Sequence, residues 1–183
     1  YNIIIRNPGS RILVFGNRRD RTMHLADELA RRGINCALLS GDVDQRKRLK
    51  ILDAFRDNSV QVLVATDVAG RGIHVDNITH VINYEIPYEA EDYVHRIGRT
   101  ARAGASGTAI TFACEDAFDL PAIEKFIGRA LRGVQPPEEL LLPAPAAKGA
   151  PRLADRAPSS IQRHGGRPGG SGPRSRPPRR YHS

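Results

Sequence analysis

Five short apolar runs, each about as long as a β-strand, alternate with helical patterns along most of the chain. They are RILVF (11–15), CALLS (36–40), VQVLVAT (60–66), THVINYE (79–85) and GTAITFA (107–113). Their apolar character is continuous rather than alternating, which favours strands covered on both faces. Because repeated strand–helix units build an open sheet with right-handed crossovers, the sequence predicts a three-layer α/β fold with a mostly parallel sheet.

The segments between the runs carry helix signals. Residues 20–32 place apolar side chains on one face and stop at Gly33, which suits a left-handed C-cap. Residues 44–57 repeat that periodicity, with Asp44 as a plausible N-cap. A last helix is predicted over residues 120–131.

The excess of positive charge lies at one end of the chain. The formal net charge is +8, and residues 143–183 hold nine of the 28 Lys and Arg but one of the 20 Asp and Glu, so residues 1–142 are balanced. The same segment has eight Pro, six Gly and few large apolar residues, too few to offset its ordering entropy. We therefore expect a disordered basic tail over 136–183, a domain over 11–135, and the end of an upstream helix and a turn over 1–10.

Several classes of protein are disfavoured. No run approaches the ~18 apolar residues of a membrane span, and the start does not read as a signal peptide, so a soluble cytoplasmic protein is expected. The only cysteines, Cys36 and Cys114, lie in apolar stretches. They are too few for a disulfide framework or a zinc site, and we expect both to be buried, reduced thiols.

The sequence contains arginines suited to binding phosphate but no glycine-rich phosphate-binding loop. Neither G-x-x-x-x-G-K-[ST] nor G-x-G-x-x-G is present, so the usual backbone cradle for a triphosphate is missing. In YVHRIGRTARAG (93–104), a helix starting near Asp92 would project Arg99 and Arg102 from one face. Two such forked donors suit phosphate oxygens, although a basic, solvated helix end is the alternative.

Two further segments follow predicted strands. In VLVATDVAGRGIHV (62–75), Asp67 can cap the next turn, while Gly70 and Gly72 allow close approach of a ligand or positive φ. A tight turn with a surface arginine is the alternative.

SGDVDQRKR (40–48) places Gly41 at a strand-to-helix junction, with Arg48 one turn inside the helix. The N–H groups of that helix could bind a phosphate. Taken alone, the segment is as well explained by a capped helix.

In order and spacing these segments resemble the C-terminal RecA-like domain of DEAD-box RNA helicases, most closely the bacterial RhlB type. RILVFGNRR (11–19) resembles motif IV, SGDVDQRKR the Q-x-x-R element, VLVATDVAGRGIHV motif V and YVHRIGRTARAG motif VI. The resemblance implies a RecA-like fold. It also implies an upstream domain that carries the phosphate loop and the DEAD sequence, without which this chain should be inactive.

The resemblance further implies roles for particular residues. Arg99 and Arg102 would be arginine fingers for the γ-phosphate. The ATP-site and interdomain positions would be Gly72, His74, His95 and Arg96. The RNA-binding positions would be Asn17, Arg19, Gly41, Arg48 and Thr66. His74 stands where most members have an Asp that meets the ribose, and Arg18 where Thr is usual, which leaves both roles open.

The implied activity is RNA-stimulated hydrolysis of ATP that drives local unwinding of RNA duplexes. ATP and Mg²⁺ would be held mainly by the upstream domain. The implied partners are RNA, that domain, and RNase E in an RNA-degrading assembly. The alternative is a non-catalytic RNA- or protein-binding module that acts through its surface and its basic tail, whose Arg, Gly and Pro pattern is typical of RNA-binding segments.

Overall fold

The computed structural model describes residues 1–101, 104, 106–114 and 119–149. Its elements are α1 (Asn2–Ile5), β1 (Ile12–Phe15), α2 (Arg19–Arg31), β2 (Cys36–Leu39), α3 (Gln45–Arg56), β3 (Val62–Ala65), α4 (Asp67–Gly70), β4 (His80–Asn83), α5 (Ala90–Ile97), β5 (Thr108–Thr111), α6 (Leu120–Ile127) and α7 (Glu138–Leu141). Every predicted apolar run contains a strand. None of these helices is long and apolar enough to cross a membrane.

The five strands form one parallel sheet in the order β2-β3-β1-β4-β5. Phe15, the last residue of β1, lies beside Ala65 of β3 and Asn83 of β4. The carboxyl ends of these strands are therefore level, and the loops that follow them meet at one edge. This arrangement confirms the predicted α/β class.

Alternate residues of the central strand pack into two apolar layers. Leu13 and Phe15 join a cluster with Phe55 of α3, whereas Ile12 and Val14 join the opposite cluster, which contains residues of α2. Burying a side chain of this size stabilises the fold by about 1.5 to 3 kcal/mol. Burial on both faces explains why the strand sequences read as continuous apolar runs.

The ends of the helices follow the expected signals in two cases and differ in a third. Gly33 follows α2 with φ +84°. The side chain of Asp44 accepts hydrogen bonds from the amides of Arg46 (2.9 Å) and Lys47 (3.0 Å), which confirms it as the N-cap of α3. The helix predicted over 120–131 instead ends at Ile127, because Gly128 adopts φ +71°.

The segment expected to begin a disordered tail packs on the domain in its first part. The side-chain amide of Asn2 donates to the carbonyls of Leu140 (3.0 Å) and Leu142 (2.7 Å), beside α7. Farther along, the amide of Lys148 donates to the carbonyl of Arg31 at the end of α2 (2.9 Å). Residues 136–149 thus follow the surface of the domain, and the expectation for 150–183 lies outside the described residues.

The two cysteines do not share one environment. Cys36 is buried in β2, and its thiol donates to the carbonyl of Ala26 at 3.3 Å. Cys114 is exposed, so the expectation that it is buried is wrong. It follows β5, an edge strand whose first two residues are also exposed.

His80 at the start of β4 should make the stability of the domain depend on pH. Partial burial lowers the pKa of its imidazole below the ordinary value of 6.5. As pH falls through that value the unfolded chain takes up the proton first, so stability present above it is lost. Urea titrations near pH 7.5 and pH 5.5 should show a larger loss of unfolding free energy at low pH in the unaltered chain than in His80→Gln. An equal loss in both chains would contradict this assignment.

Candidate functional site

One buried guanidinium connects three loops at the carboxyl edge of the sheet. Arg96 of α5 is 1% exposed, and its Nε and Nη2 each lie 2.6 Å from an oxygen of the Asp67 carboxylate. Nη1 donates to the carbonyl of Glu85 at 2.7 Å, and Nη2 also donates to Oδ1 of Asn17 at 2.6 Å. The guanidinium carbon lies 5.4 Å from the centre of the Phe15 ring. The loops after β1, β3 and β4 are therefore joined through Arg96.

These contacts change the roles that the sequence suggested. Arg96 was expected at an interdomain surface, but its guanidinium lies inside this domain, where a charge is tolerated because it is paired and hydrogen-bonded. Asp67 does not cap α4 with its side chain, because its carboxylate binds Arg96. Asn17 was expected to bind RNA, but its side-chain NH₂ donates to the carbonyl of Ile86 (2.7 Å) and its Oδ1 accepts from Nη2 of Arg96.

The sequence reasoning missed Glu85 as a member of this cluster. One carboxylate oxygen accepts from the backbone amide of Asn17 at 2.8 Å, and the other lies 3.0 Å from Nη1 of Arg21. Glu85 therefore attaches the loop after β4 to the loop after β1. The available signal was an acidic residue at the very end of an apolar run, THVINYE.

A second set of contacts attaches α3 to the loop after β3. Nη2 of Arg48 donates to the carbonyls of Ala69 (2.9 Å) and Arg71 (3.1 Å). Gly41 is exposed, and space beside its α-carbon is open, since an added Cβ would meet only Val68 at 3.9 Å. Arg48 and Gly41 thus lie at the same edge as Arg96, as the sequence predicted for residues that follow strands.

The remaining loop residues occupy this edge in different ways. Arg19, the first residue of α2, forms a solvent-exposed ion pair with Asp42 at 2.6 Å, which connects the start of this helix to the loop after β2. Thr66 is 9% exposed, and its carbonyl accepts from the amide of Gly70 at 2.7 Å. Gly72 has φ +76°, as predicted.

Gly70 is a glycine for a different reason from the one predicted. A Cβ at this position would lie 2.4 Å from Cε1 of Phe15. Its small size therefore lets the loop after β3 pack on the core strand. This contact gives no support to the expectation that Gly70 allows close approach of a ligand.

Arg99 does not lie on a helix, contrary to the prediction. α5 ends at Ile97, and Arg99 follows the capping residue Gly98. The chain turns away there because the hydroxyl of Thr100 donates to the carbonyl of Ile78 and Ala101 adopts φ +54°.

Nη1 of Arg99 donates to the carbonyl of Ile73 at 3.0 Å, so this arginine is attached to the middle of the segment between β3 and β4. Arg102 lies outside the described residues, and its predicted position relative to Arg99 stays a prediction. The two candidate histidines, His74 and His95, are exposed at the surface. Nδ1 of His95 lies 3.9 Å from Asp92 on the same helix.

Comparison with known proteins identifies the family. The profile described as "Helicase conserved C-terminal domain" matches residues 1–104. The chain belongs to this helicase family. It is 54% identical over 146 residues to the ATP-dependent RNA helicase RhlB of Pseudomonas putida, a match that covers 79% of this chain and 37% of that protein. The helicase domain thus spans little more than a third of that curated relative.

Solved structures show the same fold. The helicase domain is similar to the E. coli DEAD-box protein SrmB, solved bound to regulator of ribonuclease activity A, with 36% identity, a TM-score of 0.68, and coverage of 81% of this chain and 88% of that one. It is also similar to DEAD-box helicase domain 2 of Mss116p, solved bound to an RNA duplex, with 28% identity, a TM-score of 0.65, and coverage of 75% and 57%. These similarities confirm the predicted RecA-like fold and the resemblance to DEAD-box C-terminal domains.

Within the helicase domain, the segment resembling motif VI is joined to the one resembling motif V at two points. Arg96 binds Asp67 at the start of the segment between β3 and β4, and Arg99 binds the carbonyl of Ile73 about halfway along it. A third contact between these regions is the ion pair of Arg71 with Asp92 at 3.4 Å. Motifs that are 29 residues apart in the chain, measured from Asp67 to Arg96, therefore form one unit.

Replacing Arg96 with Met should destabilise the helicase domain by about 3 to 5 kcal/mol, because it leaves the partly buried Asp67 carboxylate without its partner. Arg96→Lys should lose less, since it keeps the charge but not the forked geometry. Urea unfolding measures both. Arg18→Met is the control, because Arg18 and its partner Asp20 are both exposed. If Arg96→Met lost no more unfolding free energy than this control, the stabilising role of the Arg96–Asp67 pair would be contradicted.

Proposed function

We propose that this domain is the C-terminal half of an ATP-dependent RNA helicase of the DEAD-box type. The observation that carries the proposal is the meeting of segments that resemble motifs IV, V and VI and the Q-x-x-R element at the carboxyl edge of the sheet. We call this region the carboxyl-edge site, and it is joined by the contacts of Arg48, Arg96 and Arg99. The sequence lacks a phosphate-binding loop. ATP hydrolysis therefore requires an upstream domain, and the ATP site forms between the two domains.

In this proposal Arg99 and Arg102 are the arginine fingers. Phosphoryl transfer is catalysed mainly by positive charge placed where negative charge spreads in the transition state. The bond from Arg99 to the carbonyl of Ile73 fixes the position of its side chain. Arg96 acts as a positioning residue through Asp67. Gly72, His74 and His95 are exposed, and in the proposal they face ATP and the other domain.

Mg²⁺, when bound with ATP, neutralises phosphate charge. No group of three or more His, Cys, Asp or Glu side chains that could hold a metal ion occurs in the described part of this chain. In the proposal the metal is held mainly by the upstream domain and by ATP itself. The contribution of this chain is then to orient guanidinium groups toward the phosphates.

RNA would cross the same edge on the side of Arg19, Gly41, Arg48 and Thr66. Contacts to phosphate and sugar fix the geometry of a strand and read little sequence. Asn17 would contribute by shaping its loop, because its side chain is used within the domain. Unwinding follows if the closed pair of domains accepts only a bent single strand.

The wider role that we propose is RNA degradation in the cytoplasm, with RNase E as a partner. Its support is the similarity to RhlB-type helicases, not a docking surface in this structure. Retention of this chain on immobilised RNase E fragments would support the partnership, and its absence would remove it.

The 183-residue chain alone should show no measurable ATPase activity, because it lacks the phosphate-binding loop. Joined to the upstream domain, it should hydrolyse ATP with stimulation by RNA. ATPase activity in the isolated chain, or a joined protein that is inactive with ATP and RNA, would contradict the proposal.

In the joined protein, Arg99→Ala or Arg102→Ala should lower kcat by about 10³- to 10⁵-fold, because each removes transition-state charge stabilisation. Turnover measured with saturating RNA tests this. Arg129→Ala is the matched control, since Arg129 is an exposed arginine beyond the end of α6. Finger variants that stay within about twofold of this control would rule out the assignment.

A second candidate function, RNA capture without catalysis, is favoured by the composition of residues 150–183. This segment holds eight of the 28 basic residues and one acid. Such a segment attracts phosphate through counterion release and shows little sequence preference. The two functions are compatible within one protein.

A chain ending at residue 149 separates the tail from the domain, because it keeps the contacts of Leu140, Leu142 and Lys148. It should bind single-stranded RNA more weakly than the 183-residue chain and with a shallower salt dependence, since basic residues that contact phosphate have been removed. Fluorescence anisotropy at several salt concentrations measures both quantities. Equal affinities at low salt would exclude the tail from RNA binding.

A further inference from the structure

The first half of α3 concentrates three basic side chains. Arg46 and Lys47 lie in its first turn, and Lys50 follows by four and three residues, so the three side chains are neighbours on the helix surface. All three residues are exposed. The first turn of α3 contains no acidic residue.

This arrangement opposes the ordinary electrostatics of a helix. The amino-terminal end of a helix carries partial positive charge and favours acids there, not cations. Like charges spaced three or four residues apart also repel one another. Arg46, Lys47 and Lys50 therefore each raise the free energy of the isolated helix.

In the part of the chain that the structure describes, the nearby acids form no ion pair with these three side chains. Asp42 pairs with Arg19 at 2.6 Å, and Asp53 pairs with Arg56 at 2.8 Å. The carboxylate of Asp44 caps the helix and offsets part of the positive charge of its first turn. Among the described residues, no ion pair includes Arg46, Lys47 or Lys50, whereas ion pairs do include Arg18, Arg19, Arg21, Arg31, Arg32, Arg56, Arg71 and Arg96.

The same region has few other groups for a phosphate. The amides of Arg46 and Lys47, which an uncapped helix would offer to an anion, are bonded to Asp44. Nη2 of Arg48 is bonded to two carbonyls of the loop after β3. The three exposed side chains of α3 therefore supply positive charge here in addition to Arg48, whose Nη2 is used within the domain.

We propose that Arg46, Lys47 and Lys50 form a basic stripe that binds the phosphodiester backbone of single-stranded RNA where the strand leaves the carboxyl-edge site. This inference rests on the proposed function and extends the RNA path along α3. A polyanion beside the stripe removes both the repulsion and the unfavourable interaction with the helix end. The contacts are electrostatic, so they lengthen the RNA footprint without adding sequence preference.

The test uses the 183-residue chain and a single-stranded RNA long enough to extend past the site. Arg46→Gln, Lys47→Gln and Lys50→Gln are combined, because glutamine keeps a similar helix propensity without the charge. The slope of log Kd against log salt should fall by about 2, since each lost phosphate contact on a single strand removes about 0.7. Thermal unfolding of the triple variant should occur at the same or a higher temperature.

The matched control removes three exposed cations elsewhere: Lys125→Gln, Arg129→Gln and Arg132→Gln. It makes the same change in net charge, and its salt slope should stay close to that of the unaltered chain. A stripe variant with an unchanged slope, or a control with an equally reduced one, would overturn the inference. Absence of RNA binding by the unaltered chain would also overturn it, while the ATPase of the joined protein still decides the proposed function separately.

Discussion

The ion pair between Arg96 and Asp67 is the interaction on which the rest of the site depends. Parallel strands bring four loops to one edge of the sheet, but such loops have no strand ladder to hold them. Arg96 connects these loops, because its guanidinium bonds to Asn17, Asp67 and the carbonyl of Glu85. A buried charge with this many partners is expensive to disturb, so it fixes the loops in one arrangement.

Charge is divided between two tasks in this domain. Arg96 and Arg48 point inward and hold loops to each other through bonds to carboxylate and carbonyl oxygens. The α3 residues Arg46, Lys47 and Lys50 point outward, away from any acidic partner in the described part of the chain. Although the net charge of residues 1–142 is balanced, the charges are not evenly distributed. Some arginines bond to carboxylate and carbonyl oxygens within the domain, whereas the basic stripe of α3 is exposed.

Much of the fold could be predicted from the sequence because the relevant signals are local. Continuous apolar runs predicted the strands, Asp44 predicted the start of α3, and Gly33 predicted the end of α2. The edge at which Gly41, Arg48 and Thr66 meet also followed, since it depends only on the parallel order of strands. The attachment of residues 136–149 to α1 and α2 could not be predicted, because it rests on bonds from Asn2 and Arg31, far away in the chain.

The sequence did not predict which arginine side chains point into the domain and which point outward. Motif VI offers Arg96 and Arg99 only three residues apart, yet one is buried against Asp67 and the other lies past the end of α5. The spacing predicted that the helix continues through Arg99 and projects Arg99 and Arg102 from one face, and the resemblance implied an interdomain position for Arg96. Which one turns inward depends on an acid in another loop and on the turn at Thr100 and Ala101.

Amide hydrogen exchange in Arg96→Met tests most directly whether one cation holds the loops together. The account predicts that the amides of Asn17, Gly70 and Tyr84, which report on the loops after β1, β3 and β4, lose protection together. The amides of Arg46 and Lys47, held by Asp44, should change little by comparison. Loss of protection confined to one of the three loops would contradict the account.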